Sequence, residues 1–276
     1  MEILTVIIPV FNSKKLFWET YKSIIQTDKL KIIIIEKKSE ELIEKARLKT
    51  NTDYYLQETN GQYLAIEEGF MKAKSRYITW LNTGDLSLIS EELLVDLSKV
   101  LNKSIIVFNR SWYDENGFLF SKRNVINKND VVNGLYDGVN RNLIPAESIL
   151  FSKELYEQTI AFKKYHFAAD YHLWIELFRK CDYVVRLDYY LFSFLLHHGR
   201  SKIYKNEYFD EIGSKAKNKI IKLILSRLFK QARYHKVDGS HKSKSYELDI
   251  FNPSLRLRKL CRNINLIRKT EFLKKI

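Results

Sequence analysis

The sequence predicts an α/β fold built on an open, doubly wound sheet. Short runs rich in Ile and Val alternate with segments whose apolar residues recur at helical spacing. This alternation favours parallel strands joined by right-handed crossover helices. The length of 276 residues, with 45% hydrophobic and 29% charged residues, fits one large domain with an appended segment.

The expected elements follow one another along the first 200 residues. Strands are predicted at 3–10, 31–35, 54–56, 77–81, 104–109 and 183–187. Helices are predicted at 14–27, 40–49, 65–74, 91–101, 155–158 and 171–180. Residues 110–145 contain many turn-forming Asn, Gly and Asp residues, so we expect an irregular or antiparallel insertion at the edge of the sheet.

The last quarter of the chain is strongly basic. Residues 201–276 contain 20 Lys and Arg against 7 Asp and Glu, and therefore carry +13 of the total charge of +14. A basic amphipathic helix is predicted over 212–235, a polar loop over 238–250, and a second basic helix from Ser254. We therefore divide the chain into an α/β domain at 1–200 and a basic, mainly helical extension at 201–276.

Three interpretations of this extension stay open. It would lie on an anionic membrane surface, pack against the α/β domain, or bind nucleic-acid phosphates. No nucleic-acid module is visible and residues 1–200 are nearly neutral, which argues against nucleic acid. The membrane surface is the interpretation that we favour.

Cysteine usage and the first apolar run predict the compartment. Cys181 and Cys261 form no metal-ligand pattern, so we expect free thiols in a reducing environment. The first apolar run ends at Pro9, far short of a span of about 20 residues, and lacks a basic leader. We expect a cytoplasmic protein that binds the inner face of the membrane peripherally.

Polar clusters follow three of the predicted strands. They are 11–12 after the first strand, 36–39 after the second and 82–85 after the fourth. Ligands of open parallel sheets lie beyond the carboxyl ends of the strands, so the clusters would converge on one crevice. An aromatic ring, hydrogen-bonding groups and a carboxylate suit a nucleotide diphosphate with a divalent cation. For any single cluster, turn formation alone is about as good an explanation as ligand binding.

Four segments, in chain order, resemble motifs of the inverting glycosyltransferase family 2, whose members have the GT-A fold. VIIPVFN at 6–12 resembles its opening strand and nucleotide-binding loop, and QETNGQ at 57–62 resembles its Gly-containing loop. WLNTGD at 80–85 resembles a polysaccharide-assembly variant of the DxD region. AADYHLW at 168–174 resembles the later acidic motif. The resemblance covers residues 3–200.

The resemblance implies a reaction and its residues. A sugar would move from a nucleotide-sugar donor, in the first place a UDP-sugar, to a hydroxyl of a glycan or lipid-linked glycan in polysaccharide biosynthesis. Asp170 would be the catalytic base. Asp85 would bind a divalent metal, Mn²⁺ or Mg²⁺, with His198 as a second candidate ligand. The donor-binding residues would be Pro9, Phe11, Asn12, Glu36, Ser39, Gly61, Asn82 and Asp85.

The sequence also departs from the family pattern and leaves alternatives. Lys37 stands where a carboxylate is usual, Asn82 and Gly84 replace two acidic positions, and His172 replaces the second acid of the later motif. Asp170 lies near a helix start, where it would also cap the first turn. Two rival functions are a sugar-nucleotide-binding protein without catalysis and a basic nucleic-acid-binding α/β protein.

Overall fold

A computed structural model describes residues 2–12, 14–37, 43–113, 119–122, 128–132, 135–136, 139–140, 144, 146–195, 232–236 and 248–250. A mixed sheet runs through this part of the chain, with helices packed on both faces. The predicted doubly wound α/β fold is therefore confirmed. No helix within the described ranges is long and apolar enough to cross a bilayer.

Four parallel strands form one half of the sheet. They are β1 Leu4–Val10, β2 Leu30–Glu36, β3 Thr52–Leu56 and β4 Tyr77–Trp80, in the spatial order β3-β2-β1-β4. Side chains on both faces of β1 and β2 are buried, because helices cover the sheet on each side. Burial on both faces explains why these strands are continuous runs of Ile and Val instead of alternating patterns.

The other half of the sheet is mixed. It contains β5 Leu86–Ser87, β6 Ser104–Tyr113 and β7 Leu119–Lys122, and later β10 Ile149–Ser152 and β11 Tyr183–Leu195; β8 Leu135–Tyr136 and β9 Val139–Asn140 form a separate pair. β10 runs antiparallel between β4 and β6, whereas β11 runs parallel to β6. The β6–β7 and β8–β9 pairs are antiparallel, as expected for residues 110–145.

The helices divide between the two faces. In chain order they are α1 Lys14–Ser23, α2 Gln62–Lys72, α3 Glu91–Lys99, α4 Lys128–Val132, α5 Lys153–Tyr156, α6 Ala161–Lys164 and α7 Ala169–Lys180. α1 and α3 pack on one face, and the other helices pack on the opposite face. α3 begins after Ser90, whose hydroxyl accepts a hydrogen bond from the Leu93 N–H and caps the helix.

Several predicted elements differ from the structure. Residues 43–49, the described part of the helix predicted at 40–49, contain only a 3₁₀ turn at Lys45–Arg47. β6 and β11 are longer than predicted because they extend along each other through two register shifts. Apolar periodicity does not report such long-range pairing.

The C-terminal prediction also needs correction. Ala232–Lys236 is a strand, β12, that pairs with β7, so the helix predicted over 212–235 is wrong at its end. Leu248–Ile250 is a strand, β13, within a predicted loop, and it pairs with β12. Ladder hydrogen bonds to β7 therefore override the local helical pattern. The other residues of 201–276 lie outside the described part, and the domain boundary at 200 stays a prediction.

Two close contacts position the carboxyl edge of the sheet. Gly69 brings α2 so near β1 that a Cβ on this residue would lie 2.5 Å from Ile7 Cγ2. Trp80 of β4 stacks on Trp174 of α7, with ring centroids 5.5 Å apart and planes at 7°. α2 and α7 are therefore each packed directly against strands that end at this edge.

Candidate functional site

The carboxyl ends of the parallel strands meet at one edge. Val10, Glu36 and Leu56 are register partners in β1, β2 and β3. The backbone N–H of Leu81, just after β4, donates to the Ile7 carbonyl at 2.8 Å. The three polar clusters predicted from the sequence thus follow neighbouring strands, and this edge is the candidate site.

Phe11 and Lys37 form the part of the site that follows β1 and β2. The Phe11 side chain is 58% exposed, and the Lys37 ammonium lies 4.7 Å from its ring centroid. Asn12 has a φ of 47°, in the left-handed region that Asn tolerates better than most residues. Pro9 lies within β1, paired with Ile35, so it shapes the strand end. An exposed ring beside a cation suits an aromatic, anionic ligand.

Glu36 holds a carboxylate at the end of β2. It is only 3% exposed, and its Oε2 accepts hydrogen bonds from the Tyr54 hydroxyl at 2.6 Å and the Ile43 N–H at 3.0 Å. Burial and the neighbouring Glu36 carboxylate raise the pKa of Tyr54, so its hydroxyl remains a donor at neutral pH. These contacts fix the carboxylate in one orientation. Ser39, predicted beside it, lies outside the described residues.

The loop between β3 and α2 is held by α2 itself. Glu68 accepts hydrogen bonds from the Glu58 N–H at 3.1 Å and the Thr59 N–H at 2.8 Å. Burial tends to raise the pKa of Glu68, but the hydrogen bonds from Thr59 and Glu58 outweigh it and lower the pKa. Gly61, with a φ of 115°, then leads directly into the first turn of α2. The loop therefore places the start of α2 beside the carboxyl edge.

Asn82 to Asp85 form a turn after β4. The Asp85 N–H donates to the Asn82 carbonyl at 3.1 Å, and Gly84 has a φ of 99°, the region that the third residue of a type II turn requires. Gln62, the first residue of α2, donates its amide to the Asn82 side-chain oxygen at 2.8 Å. The turn and the start of α2 are therefore in direct contact.

Asp85 lies at the end of this turn. It is 5% exposed, and its Oδ1 accepts a hydrogen bond from the Leu195 N–H at 3.1 Å. Within the described ranges, no cluster of three or more His, Cys, Asp and Glu side chains could hold a metal ion. The residues present fit a cation held by Asp85 together with ligand phosphate oxygens, a donor set that Mg²⁺ commonly uses. His198 lies outside the described residues.

Asp170 is the second residue of α7 and is partly exposed. Its Oδ1 accepts a hydrogen bond from the Tyr171 N–H at 2.9 Å, and a carboxylate in the first helical turn is stabilised by the helix dipole. His172, also in α7, stacks on the Tyr165 ring, with centroids 3.5 Å apart. Asp170 is linked to the rest of the site through the packing of α7 against β4. Asn82, in contrast, is linked to the start of α2 by the direct hydrogen bond from Gln62.

Sequence reasoning missed three residues that shape this edge. Tyr54 orients Glu36, and the side chains of Thr20 and Tyr113 hydrogen-bond the backbone of Gly84. Each comes from an element far away in the sequence and belongs to none of the four motifs. The strand assignments placed Tyr54 two residues before the carboxyl end of β3, which is the one signal that could have identified it.

Comparison with known proteins defines the class of this protein. The model of "Glycosyl transferase family 2" matches residues 5–165, more than half of the chain. The chain therefore belongs to glycosyltransferase family 2 and is a glycosyltransferase. The match includes the Phe11, Glu36 and Asp85 regions and ends five residues before Asp170. Among curated protein sequences, no significant match was found.

Solved structures show the same fold. Residues 1–349 of S. aureus TarS match with a TM-score of 0.53 and 15% identity, over 80% of this chain and 68% of that chain. The same fragment in complex with UDP-GlcNAc matches with a TM-score of 0.51 and 15% identity, over 80% and 69%. This chain spans 42% of the longer TarS structure. At this identity the likeness concerns the fold, and the predicted GT-A fold is confirmed.

A mannosyltransferase from Pyrobaculum calidifontis is a further match. Its structure contains GDP-Man and Mn²⁺, and it aligns at 14% identity over 73% of this chain and 59% of that chain, with a TM-score of 0.47.

Proposed function

We propose that this chain is an inverting glycosyltransferase that moves a sugar from a nucleotide-sugar donor to a hydroxyl of a glycan or lipid-linked glycan, such as a capsule or O-antigen precursor. One observation carries the proposal. The exposed Phe11 ring, the Lys37 ammonium, the fixed Glu36 carboxylate and the Asp85 turn all lie at the carboxyl edge of four parallel strands. Open sheets bind nucleotides at this edge.

The donor would lie across the ends of β1 and β2. Its base would stack on Phe11, and Glu36 would accept hydrogen bonds from the base or the ribose, with Asn12 and Ser39 beside it. Lys37 and the start of α2 after Gly61 carry positive charge and partial positive charge, which favour the diphosphate. The UDP-GlcNAc complex of TarS makes a UDP-sugar the first donor to test.

Asp85 would hold a divalent cation jointly with the diphosphate, and His198 is a second candidate ligand. When bound, such a cation stabilises negative charge on the departing nucleoside diphosphate. The 5% exposure of Asp85 excludes most competing water, which strengthens its interaction with a cation. Asn82, held by Gln62, supports the turn from the side of α2.

Asp170 would act as the general base. It would take the proton from the acceptor hydroxyl as that oxygen attacks the anomeric carbon and the bond to the diphosphate breaks. A single displacement of this kind inverts the anomeric centre. Trp174 lies one helical turn after Asp170 in α7 and stacks on Trp80 of β4. This contact supports the role because it packs the helix that contains Asp170 against the strand that leads to Asp85.

The basic segment after residue 200 supports an acceptor at a membrane surface. Its charge of +13 would attract anionic lipid headgroups, each basic residue near the surface contributing about 1 kcal/mol. The enzyme would thus work as a cytoplasmic, peripheral protein on the inner face of the membrane.

Donor binding is the first experiment. Thermal unfolding would be followed with UDP-, GDP-, CMP- and dTDP-sugars, each with and without Mn²⁺ or Mg²⁺. A ligand at about 100 times its Kd stabilises the folded state by about 2.7 kcal/mol, so a true donor raises the Tm measurably. Absence of a shift with every donor would count against the proposal. Nucleic-acid binding that weakens steeply with salt, in a protein that no nucleotide sugar stabilises, would favour a nucleic-acid-binding protein.

Catalysis is tested with a matched pair of variants. Asp170→Asn and Glu91→Gln each remove one carboxylate from the first turn of a helix, at α7 and α3 respectively. We expect Asp170→Asn to lose about 10²- to 10⁴-fold in donor turnover while retaining donor binding, and Glu91→Gln to retain both. Equal turnover in the two variants would assign Asp170 to helix capping. Donor binding without any turnover in the wild-type protein would favour a sugar-nucleotide-binding protein without catalysis.

A further inference from the structure

The Asn82–Asp85 turn is held by two side chains that contact the same residue. The Gly84 N–H donates to Thr20 Oγ1 of α1 at 2.8 Å, and the Gly84 carbonyl accepts a hydrogen bond from the Tyr113 hydroxyl of β6. Gly84 is buried, so its peptide groups depend on these partners instead of water. Its φ of 99° restricts the position to glycine, which has no side chain to stabilise the turn.

The contacts to Gly84 continue directly into those of Asp85. Tyr113 and Leu195 are register partners in β6 and β11, and the Leu195 N–H donates to Asp85 Oδ1. Two neighbouring strands therefore contact two consecutive residues of the turn. Because Gly84 and Asp85 share a peptide bond, any rotation of the Gly84 backbone changes the direction of the Asp85 side chain.

We infer that Tyr113 and Thr20 are positioning residues that orient the Asp85 carboxylate toward the donor diphosphate. The inference rests on the proposed function, because Asp85 matters in this way only if a nucleoside diphosphate binds. Both residues act through the Gly84 peptide. Asp85 is the single carboxylate of the WLNTGD motif at 80–85. Binding of a cation and diphosphate therefore depends strongly on the orientation of Asp85, since an error of about 1 Å in position is costly.

The environment of both hydroxyls suits this role. Burial, and then the charges of Asp85 and Glu19, raise the pKa of Tyr113 to about 12, so its hydroxyl stays protonated and donates throughout the neutral range. Thr20 is fully buried, so water does not compete with the Gly84 N–H for its oxygen. At neutral pH the Tyr113 hydroxyl is therefore available as a donor to the Gly84 carbonyl, and the Thr20 oxygen as an acceptor for the Gly84 N–H.

The test uses hydroxyl deletions and a matched control. Tyr113→Phe and Thr20→Val each remove one hydrogen bond to Gly84, and Thr20→Ser keeps the hydroxyl. Tyr77→Phe is the control, because the Tyr77 hydroxyl also donates to a backbone carbonyl, that of Leu101, at 3.0 Å. This contact lies just before β6, at the edge of the sheet opposite to the site. The probes are UDP, GDP, CDP and dTDP, each titrated with Mn²⁺, followed by donor turnover.

We expect Tyr113→Phe and Thr20→Val to weaken the joint binding of nucleoside diphosphate and Mn²⁺, or to lower kcat, by about 10- to 100-fold. Thr20→Ser, which keeps the hydroxyl, should retain most of the binding and turnover that Thr20→Val loses. Tyr77→Phe should lower the Tm of the free protein and leave diphosphate affinity, Mn²⁺ dependence and kcat unchanged. A merely structural role for Tyr113 would make the two Tyr→Phe variants behave alike.

The outcomes separate the inference from the proposed function. Wild-type affinity, Mn²⁺ dependence and turnover in Tyr113→Phe would overturn the inference and leave the proposed function intact. A loss in Tyr77→Phe as large as that in Tyr113→Phe would also overturn it. Failure of the wild-type protein to bind any of the four diphosphates would overturn both.

Discussion

The contact between Gly69 and Ile7 predicts how Gly69→Ala changes the stability of the protein, and the sign of that change depends on the side chain at position 7. A Cβ at position 69 would lie 2.5 Å from Ile7 Cγ2 and 3.0 Å from Ile7 Cγ1 and Cδ1. Ordinary carbon contacts are about 3.5–4.0 Å, so α2 or β1 would have to move by about 1 Å at Gly69→Ala. Ile7 is fully buried and β-branched, so its side chain cannot swing aside.

The expected magnitude is the difference between two effects. Overpacking a buried contact costs about 1–3 kcal/mol, whereas replacing Gly by Ala within a helix contributes about 1 kcal/mol. We therefore expect Gly69→Ala to destabilise the protein by about 1 kcal/mol, which corresponds to a Tm decrease of about 2–4 °C for a chain of this size. Urea unfolding, with the midpoint and slope fitted separately, measures the change.

A double-mutant cycle isolates the clash. Ile7→Ala removes all three offending atoms, so in that background Gly69→Ala should stabilise the protein, because helix propensity remains and the cavity is partly filled. Ile7→Val keeps Cγ1 and Cγ2, so there Gly69→Ala should still destabilise. Equal destabilisation in the wild-type, Val and Ala backgrounds would refute the close packing of α2 on β1.

Three further predictions concern the candidate site. Lys37→Gln should weaken donor binding and reduce its salt dependence, whereas Lys45→Gln, which removes an ammonium from the face of Tyr54, should not; equal effects would contradict the role of Lys37. Tyr54→Phe should cost about 1.5–3 kcal/mol in urea unfolding because it removes a donor to the buried Glu36 carboxylate, whereas Tyr55→Phe should be nearly neutral. Because the pKa of Glu68 is lowered in the folded state, its stabilising contribution is complete above the ordinary Glu pKa of about 4.3 and is lost as the pH falls through the lowered value. The stability difference between wild type and Glu68→Gln should therefore shrink as the pH falls below the ordinary Glu pKa, and a constant difference would be the contrary result.

The sequence by itself determined the parallel half of the fold. The buried Ile and Val runs of β1 and β2 predicted both strands to within one residue at each end, because strands covered on both faces need apolar side chains at every position. It also predicted that polar residues after β1, β2 and β4 would share one edge, because parallel strands end on the same side. Motif order then identified the family, which the family model confirmed.

Tertiary structure alone decided what surrounds these motifs. The hydroxyls of Tyr54, Thr20 and Tyr113 reach the site from 18 to 64 residues away in sequence, and no local pattern marks a side chain that hydrogen-bonds a distant backbone or carboxylate group. The strand at Ala232–Lys236 arose from pairing with β7. Local sequence specifies periodicity and turn chemistry, whereas partners at long range are chosen by the packing of the whole sheet.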